Sequence, residues 1–159
     1  MIESFFNPKS VAVVGVSADP KKLGSLIFNN LIKANYKGKL YPINTRVGGQ
    51  ELYGHMSFKN VREIKEPLDL AILVIGAKFC SQVVDDCIAN GTKNISIIAS
   101  GFSEIGNTKL EKEIGEKCLK NNITLLGPNC LGHISTYTDL NASFADGYPT
   151  KGNVAFISQ

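Results

Sequence analysis

Three segments of small and turn-forming residues have the chemistry to bind a phosphate-bearing ligand. Each follows a short apolar run typical of a buried parallel strand, and the segments are Gly15–Pro20, Ser100–Glu104 and Gly127–Gly132. Their backbone N–H groups and the amide of Asn129 donate hydrogen bonds of the kind that hold phosphates and oxyanions. Ligands of open α/β sheets bind at the carboxyl ends of strands, so the three segments predict one shared cleft.

Strand and helix patterns alternate along the chain and predict the elements that position these segments. Apolar runs predict five strands before residue 127 and a sixth near the end, at Ser10–Gly15, Lys39–Ile43, Leu68–Ile75, Ile95–Ala99, Ile123–Leu126 and Asn153–Ile157. Apolar residues at helical spacing, such as Leu23, Ile27 and Leu31, lie between them. This alternation predicts an α/β fold, a Rossmann-like doubly wound parallel sheet with helices on both faces.

Length and composition predict a single domain over residues 1–159. No apolar run approaches the roughly 18 residues that span a bilayer, and the amino terminus lacks the pattern of a secretory signal, so we expect no membrane contact. The four cysteines form neither a CxxC pair nor a zinc-binding spacing. We therefore expect no metal site, and reduced cysteines in a cytoplasmic protein.

The charge distribution favours a small polyanion over nucleic acid. The net charge of +3 is too low to indicate a nucleic-acid partner. However, the first 50 residues hold seven basic and two acidic side chains, a net charge of +5 around the first two predicted strands. A small ligand that carries several phosphates would be attracted to this part of the chain.

The residues by themselves leave two ligands open. The first loop has Ser17 and Pro20 where the dinucleotide fingerprint GxGxxG requires glycines. The second strand is followed by Asn44 and Arg46, with no carboxylate for the ribose hydroxyl of NAD. Arginine forks onto phosphate oxygens, so a ribose phosphate fits this position. Both NADP and coenzyme A carry one.

A resemblance decides between these ligands. The chain resembles the N-terminal coenzyme A-binding domain of the NDP-forming acyl-CoA synthetases and, more distantly, the α subunit of succinyl-CoA synthetase. Matching pieces occur in the same order and spacing over about 150 residues, at residues 10–15, 17–24, 30–31, 36–44, 69–71, 100–106, 127–132, 140–144 and 152–159. The resemblance thus implies a coenzyme A site and disfavours an NADP-dependent oxidoreductase.

The resemblance assigns parts of coenzyme A to residues of this chain. The first loop would cradle the phosphates through Gly15, Ser17, Pro20, Lys22 and Gly24. Asn44 and Arg46 would meet the adenosine end, with Arg46 on the 3′-phosphate. Ile75 and Gly76 would line the pantetheine channel, although the family usually has a proline where this chain has Gly76. Ser100, Gly101 and Asn129 would approach the thiol end, where the acyl group is exchanged.

The implied activity is that of an NDP-forming acid–CoA ligase, which makes ATP or GTP from acyl-CoA, phosphate and ADP or GDP, and also runs in reverse. In the family this proceeds through an acyl phosphate and a phosphohistidine in a following domain. We therefore expect this chain to be an N-terminal fragment without catalytic residues, inactive alone. ATP, ADP and magnesium would belong only to the complete protein, with its further ligase domains or partner subunit. The alternatives are a stand-alone module that senses coenzyme A or a nucleotide, and the head domain of a protein acetyltransferase.

Overall fold

The computed structural model describes residues 2–158. Its strands are β1 (Ser10–Val14), β2 (Lys39–Ile43), β3 (Glu51–Leu52), β4 (His55–Met56), β5 (Leu70–Leu73), β6 (Asn94–Ile97), β7 (Thr124–Leu126), β8 (Gly132–Ser135) and β9 (Leu140–Ser143). Its α-helices are α1 (Glu3–Phe6), α2 (Leu23–Lys33), α3 (Ala77–Asn90) and α4 (Thr108–Lys120). Single turns of 3-10 helix occupy Val61–Glu63 and Ser103–Ile105.

Five strands form one parallel sheet in the order β2-β1-β5-β6-β7. Val14, the last residue of β1, pairs with Ile43 of β2 on one side and with Leu73 of β5 on the other. The chain therefore leaves β1 in one direction and returns on its opposite side. This reversal opens a crevice at the carboxyl ends of β1 and β5, where ligands of doubly wound folds bind.

Both faces of the sheet are covered, because alternate residues of each strand point to opposite sides. Ala12 and Val14 pack in the core beneath α3 and α4, whereas Val11 and Val13 pack in the core beneath α2. The expected Rossmann-like sheet with helices on both faces is confirmed. On the α2 side, the antiparallel pair β8–β9 completes the cover through Leu140 and Ala142.

The sixth strand predicted at Asn153–Ile157 is wrong. This segment has no strand in the structure, and its apolar side chains lie open, with Val154 94%, Phe156 90% and Ile157 95% exposed. A strand forms only where neighbouring backbone groups pair with it, and an apolar run alone does not provide such a neighbour. The sequence analysis also overlooked β8 and β9, which are short, and β9 carries Asn141 and Ser143 at buried positions.

Three of the cysteines are part of the core. Burial raises the pKa of Cys80 and Cys118 to about 11 and that of Cys87 to about 12, so these thiols stay protonated. Within residues 2–158 no helix is both long and apolar enough to cross a membrane. The same residues contain no group of three or more histidine, cysteine or acidic side chains arranged to hold a metal ion.

Candidate functional site

The first loop brings Gly15 and Gly24 into contact at the carboxyl end of β1. Gly15 has φ +111°, and a Cβ there would lie 2.3 Å from the carbonyl oxygen of Val74. A Cβ on Gly24 would lie 2.4 Å from the carbonyl oxygen of Gly15. Glycine at both positions therefore lets α2 begin directly against the strand end. This is the close packing that the third glycine of a dinucleotide fingerprint provides, reached here with a different spacing.

Side-chain hydrogen bonds hold the backbone of this loop in place. The Ser25 hydroxyl accepts from Ser17 N–H at 3.1 Å and donates to the Ser17 carbonyl at 2.8 Å. Tyr53 also donates to the Ser17 carbonyl, at 2.9 Å, and Asn44 Nδ2 donates to the Val16 carbonyl at 2.7 Å. Asn44, which was predicted to meet the adenosine end, thus holds the first loop from its position directly after β2.

The amino end of α2 faces the same loop and has the features of an anion site. Lys22 is the N-cap residue of α2, and among the described residues its side chain makes no capping hydrogen bond. The turn before the helix is set by Asp19, whose carbonyl accepts from Lys22 N–H at 3.2 Å. Pro20, Lys21 and Lys22 are exposed. Unpaired helix N–H groups beside lysines bind phosphate well, so the cradle expected for a pyrophosphate fits these residues.

A cleft of about 450 Å³ opens beside this loop, between the end of β2 and helix α3. Its lining includes Gly15, Asn44, Arg46, Ile75 and Gly76, which the sequence reading assigned to the site. The lining also includes residues that the reading overlooked, namely Lys59, Asn60, Val61, Phe79, Gln82, Val83 and Asp86. The helical spacing of Phe79, Gln82, Val83 and Asp86 along α3 could have indicated these four, whereas the irregular segment that holds Lys59, Asn60 and Val61 carries no such signal.

Gly76 departs from the proline expected in this family, yet its backbone suits a side chain. It is the N-cap of α3 with φ −59°. A Cβ there would touch only the Phe79 ring, at 3.7 Å. The φ angle is one that proline also adopts. The backbone at Gly76 could therefore hold a proline, and the wall of the cleft lacks only the side-chain atoms of that residue.

At the far side of the sheet, the loop after β6 is held by an acidic side chain. The carboxylate of Glu104 accepts hydrogen bonds from the backbone N–H groups of Gly101 and Phe102. The bond from Gly101 N–H contributes most to holding the pKa of Glu104 below its ordinary value. Glu111, on α4, accepts from Ser103 N–H at 3.0 Å. The Gly101 donor predicted for an oxyanion is thus already paired within the chain.

The loop after β7 is tied to the same region. Asn129 is exposed, and its backbone N–H donates to the Ala99 carbonyl at 3.0 Å. This bond places the backbone of Asn129 beside Ala99, the residue before the exposed Ser100. Cys130 is half-buried, and its Sγ donates to the Ile97 carbonyl at 3.4 Å. This contact turns the thiol towards β6, in the position of a packed side chain.

These loops follow one another along the carboxyl edge of the sheet, and we call this row of loops the groove; the cleft itself lies at its β2 side, and Ser100, Gly101 and Asn129 are not in its lining. We call the part built on Gly15–Lys22, Asn44 and Arg46 the β1–β2 end, and the part built on Ser100–Glu104 and Gly127–Cys130 the β6–β7 end. Neighbouring strands lie about 4.8 Å apart, so the four steps from β2 to β7 span about 19 Å.

A family model described as "CoA binding domain" matches residues 9–136 of the chain. The chain belongs to this family. The match runs from β1 to β8 and so includes both the β1–β2 end and the β6–β7 end.

Known relatives extend well beyond this domain. The chain is 45% identical to the alpha subunit of ADP-forming acetate–CoA ligase II from Pyrococcus furiosus, which it matches over 100% of its own length and 34% of the relative. It is 41% identical to ADP-forming acetate–CoA ligase from Methanocaldococcus jannaschii, over 96% of its length and 21% of the relative. The chain therefore spans about a third or less of these proteins.

A solved structure confirms the fold at the level of the whole domain. The dinucleotide-forming acetyl-coenzyme A synthetase 1 of Ca. Korarchaeum cryptofilum, in complex with phosphate and ADP, superimposes with a TM-score of 0.92 at 37% identity. The match covers 96% of this chain and 32% of that one. Our fold therefore corresponds to one part of a larger synthetase.

Proposed function

We propose that this chain binds coenzyme A as one domain of an ADP-forming acid–CoA ligase. The complete protein would join a carboxylic acid to coenzyme A while converting ATP to ADP and phosphate, and would run the reverse reaction as well. The observation that supports this most is the groove itself, with a glycine-lined anion cradle at one end and two polar loops at the other. The relatives named as ADP-forming acetate–CoA ligases support ADP as the nucleotide and a small carboxylate as the acid.

At the β1–β2 end, residues of the chain would bind and orient the adenosine and phosphate groups. Backbone N–H groups from Gly15 to Gly24 would hold the pyrophosphate at the start of α2, with Lys22 beside them. Ser17 and Pro20 are part of this loop. The hydrogen bonds from Ser17 N–H to Ser25 and from Asn44 Nδ2 to the Val16 carbonyl hold its backbone. Arg46 is exposed on the lip of the cleft, where its guanidinium can fork onto the 3′-phosphate.

The pantetheine arm would then pass Ile75 and Gly76 and reach the β6–β7 end. There Ser100 and the side chain of Asn129 are exposed and can donate to the oxygen of an acyl group. We assign no nucleophilic role to Cys130. Its thiol donates to the Ile97 carbonyl, and formation of the thioester needs only the thiol of coenzyme A. Transfer of the phosphoryl group would depend on the remaining ligase domains or on a partner subunit.

Calorimetric titration of this chain with coenzyme A, NADP and ATP, in separate experiments, tests the proposal. We expect binding of coenzyme A and at least a 10-fold preference for it over NADP and ATP, because only coenzyme A reaches both ends of the groove. A preference for NADP would overturn the proposal. Absence of coenzyme A binding in a chain that is folded by circular dichroism would contradict it equally.

A further inference from the structure

The cleft beside β2 runs along one stripe of helix α3. Phe79, Gln82, Val83 and Asp86 follow each other at the spacing i, i+3, i+4 and i+7, and all four line the cleft. Since an α-helix rises 1.5 Å per residue, Asp86 lies about 10 Å beyond Phe79 along the helix. The cleft is therefore elongated, with the strand ends at its opening and Asp86 deep along its side.

The walls between these points suit a flat aromatic group. They are formed by apolar side chains of β2, the 3-10 turn and α3, namely Ile43, Val61 and Val83. Phe79 is 55% exposed although it is a large apolar side chain, and its ring lies on the same lining. An exposed aromatic ring in a mostly apolar cleft offers a stacking surface for a planar base.

Asp86 places a buried carboxylate within this apolar cleft. The residue is only 5% exposed. Its Oδ1 accepts from Arg62 Nε at 2.6 Å and from Gln82 Nε2 at a long 3.4 Å, and its Oδ2 accepts from Asn60 Nδ2 at 2.8 Å. A carboxylate has about four acceptor positions. Among the residues that the structure describes, these three donors leave one position for a ligand.

We propose that Asp86 determines the base specificity of the site by accepting a hydrogen bond from the exocyclic amine of adenine. This inference rests on the proposed binding of coenzyme A. The positively charged side chains at the rim of the cleft determine which way round the nucleoside would lie in it. Arg46 and Lys59 both line the cleft and are exposed, so the 3′-phosphate lies at the rim and the base extends inward along α3.

A carboxylate at this position distinguishes adenine from bases with a carbonyl group at the same place. The adenine amine donates a hydrogen bond, whereas hypoxanthine and guanine present an oxygen acceptor there. A carbonyl oxygen would face a buried carboxylate without a proton between them, and the buried acceptor would lose its partner. Arg62 and Asn60 hold the carboxylate in place, so it cannot easily turn away.

The first test compares coenzyme A with its analogue that has hypoxanthine in place of adenine, by calorimetry on this chain. We expect the analogue to bind at least about 10-fold more weakly, since a hydrogen bond to a charged group is lost. Equal affinities would overturn the assignment of Asp86 while leaving the binding of coenzyme A intact. Failure of coenzyme A itself to bind would overturn the proposed function and this inference together.

Two variants assign the preference to the side chain. Asp86→Asn should bring the two affinities within about 2-fold of each other, whereas Asp85→Asn should keep the wild-type preference. Asp85 is the matched control, because it is the adjacent carboxylate and pairs with Lys117 of α4 instead of facing the cleft. A folded Asp86→Asn chain that still prefers adenine would contradict the proposal.

A measurement on the unmodified chain covers the case in which Asp86→Asn does not fold. The ¹³C resonance of the Asp86 carboxyl group should shift when coenzyme A is added and should shift differently with the hypoxanthine analogue. An Asp86 resonance that responds identically to both ligands would overturn the proposal.

Discussion

The β1–β2 end and the β6–β7 end of the groove differ in how their polar groups are paired. At the β1–β2 end, the side chains of Arg46 and of the neighbouring Lys59 are exposed and line the cleft. The start of α2 faces the first loop, in which Gly15 leaves no room for a side chain. At the β6–β7 end, the N–H groups of Gly101 and Phe102 donate to Glu104. One end is open for a ligand, and the other is closed by the chain's own carboxylate.

This difference separates binding from chemistry. A preformed cleft lowers the cost of ordering residues when a ligand binds, so the proposed site would draw its affinity from the β1–β2 end. At the β6–β7 end the N–H groups of Gly101, Phe102, Ser103 and Asn129 are paired, and the side chains of Ser100 and Asn129 are exposed. We therefore expect the reactive part of the site to be completed by other parts of the ligase.

The largest effect is expected from Gly15→Ala, which would break the β1–β2 end. The new Cβ would lie 2.3 Å from the Val74 carbonyl oxygen at a φ of +111°. Overpacking and the unfavourable φ together should cost about 3 kcal/mol of unfolding free energy or more, with loss of coenzyme A binding. Urea denaturation and calorimetry measure both quantities.

Gly76→Ala is the matched control for that substitution, in the same cleft. Its φ of −59° suits alanine and the new Cβ meets only the Phe79 ring at 3.7 Å. We expect a gain of about 0.4–1 kcal/mol, since the unfolded chain loses freedom. If both substitutions cost the same, the packing argument for Gly15 is wrong.

The second effect concerns a half-buried histidine in the strand that follows the β6–β7 end. His133, on β8, stacks on Phe5 and bonds its carbonyl oxygen at 3.0 Å through Nε2, and burial lowers the pKa of His133 to about 4. The unfolded chain takes up a proton below about pH 6.5, while the folded chain does not until about pH 4. The histidine should therefore remove on the order of 2–3 kcal/mol of stability as the pH falls through this window.

Denaturation of wild type and His133→Gln at several pH values checks this. The variant should lose less stability than wild type between pH 6.5 and pH 4. The difference between the two chains at pH 8, where the imidazole is neutral in both states, gives the cost of the substitution itself. Parallel curves over the whole range would show that His133 takes up its proton equally in both states.

Arg46→Ala should sharpen the assignment of the β1–β2 end. A lost charge-assisted bond to phosphate costs about 1.5–3 kcal/mol, so coenzyme A should bind more weakly while 3′-dephospho-coenzyme A is little affected. Lys37→Ala is the control, because Lys37 is an exposed cation in the turn before β2, at the opposite edge of the sheet. Equal losses for both ligands would refute the contact between Arg46 and the 3′-phosphate.

The smallest effect is expected at the β6–β7 end, from Glu104→Ala. Without the carboxylate, the amide protons of Gly101 and Phe102 should exchange faster with solvent, as measured by NMR. The backbone N–H of Asn129 donates to the Ala99 carbonyl, and its exchange rate serves as the internal control. In wild type, protection of the two amides should fall as the pH falls through the lowered pKa of Glu104, because the protonated carboxyl accepts less strongly. Unchanged exchange would mean that this end is closed by other contacts.

The five parallel strands and the loops that follow them were predictable from local patterns in the chain. Runs such as Val11–Val14 are apolar because both faces of a central parallel strand are buried, and that burial is a local property visible in the chain. Glycine at positions 15 and 24 and arginine at 46 likewise stand next to predicted strand ends. These residues predicted a phosphate-binding cleft, and the order and spacing of the matching pieces over about 150 residues carried the resemblance to a coenzyme A-binding family.

The side chains that line the cleft, and the backbone N–H groups that are already paired within the chain, became visible in the three-dimensional structure. Asp86 and Lys59 are 71 and 44 positions from Gly15 along the chain, yet they line the same cleft. The apolar run Asn153–Ile157 predicted a strand that has no partner in the structure, and the pairing of Gly101 with Glu104 was not predicted. The physical reason is that burial follows local pattern, whereas hydrogen bonds and cleft walls depend on which distant residues the fold brings together.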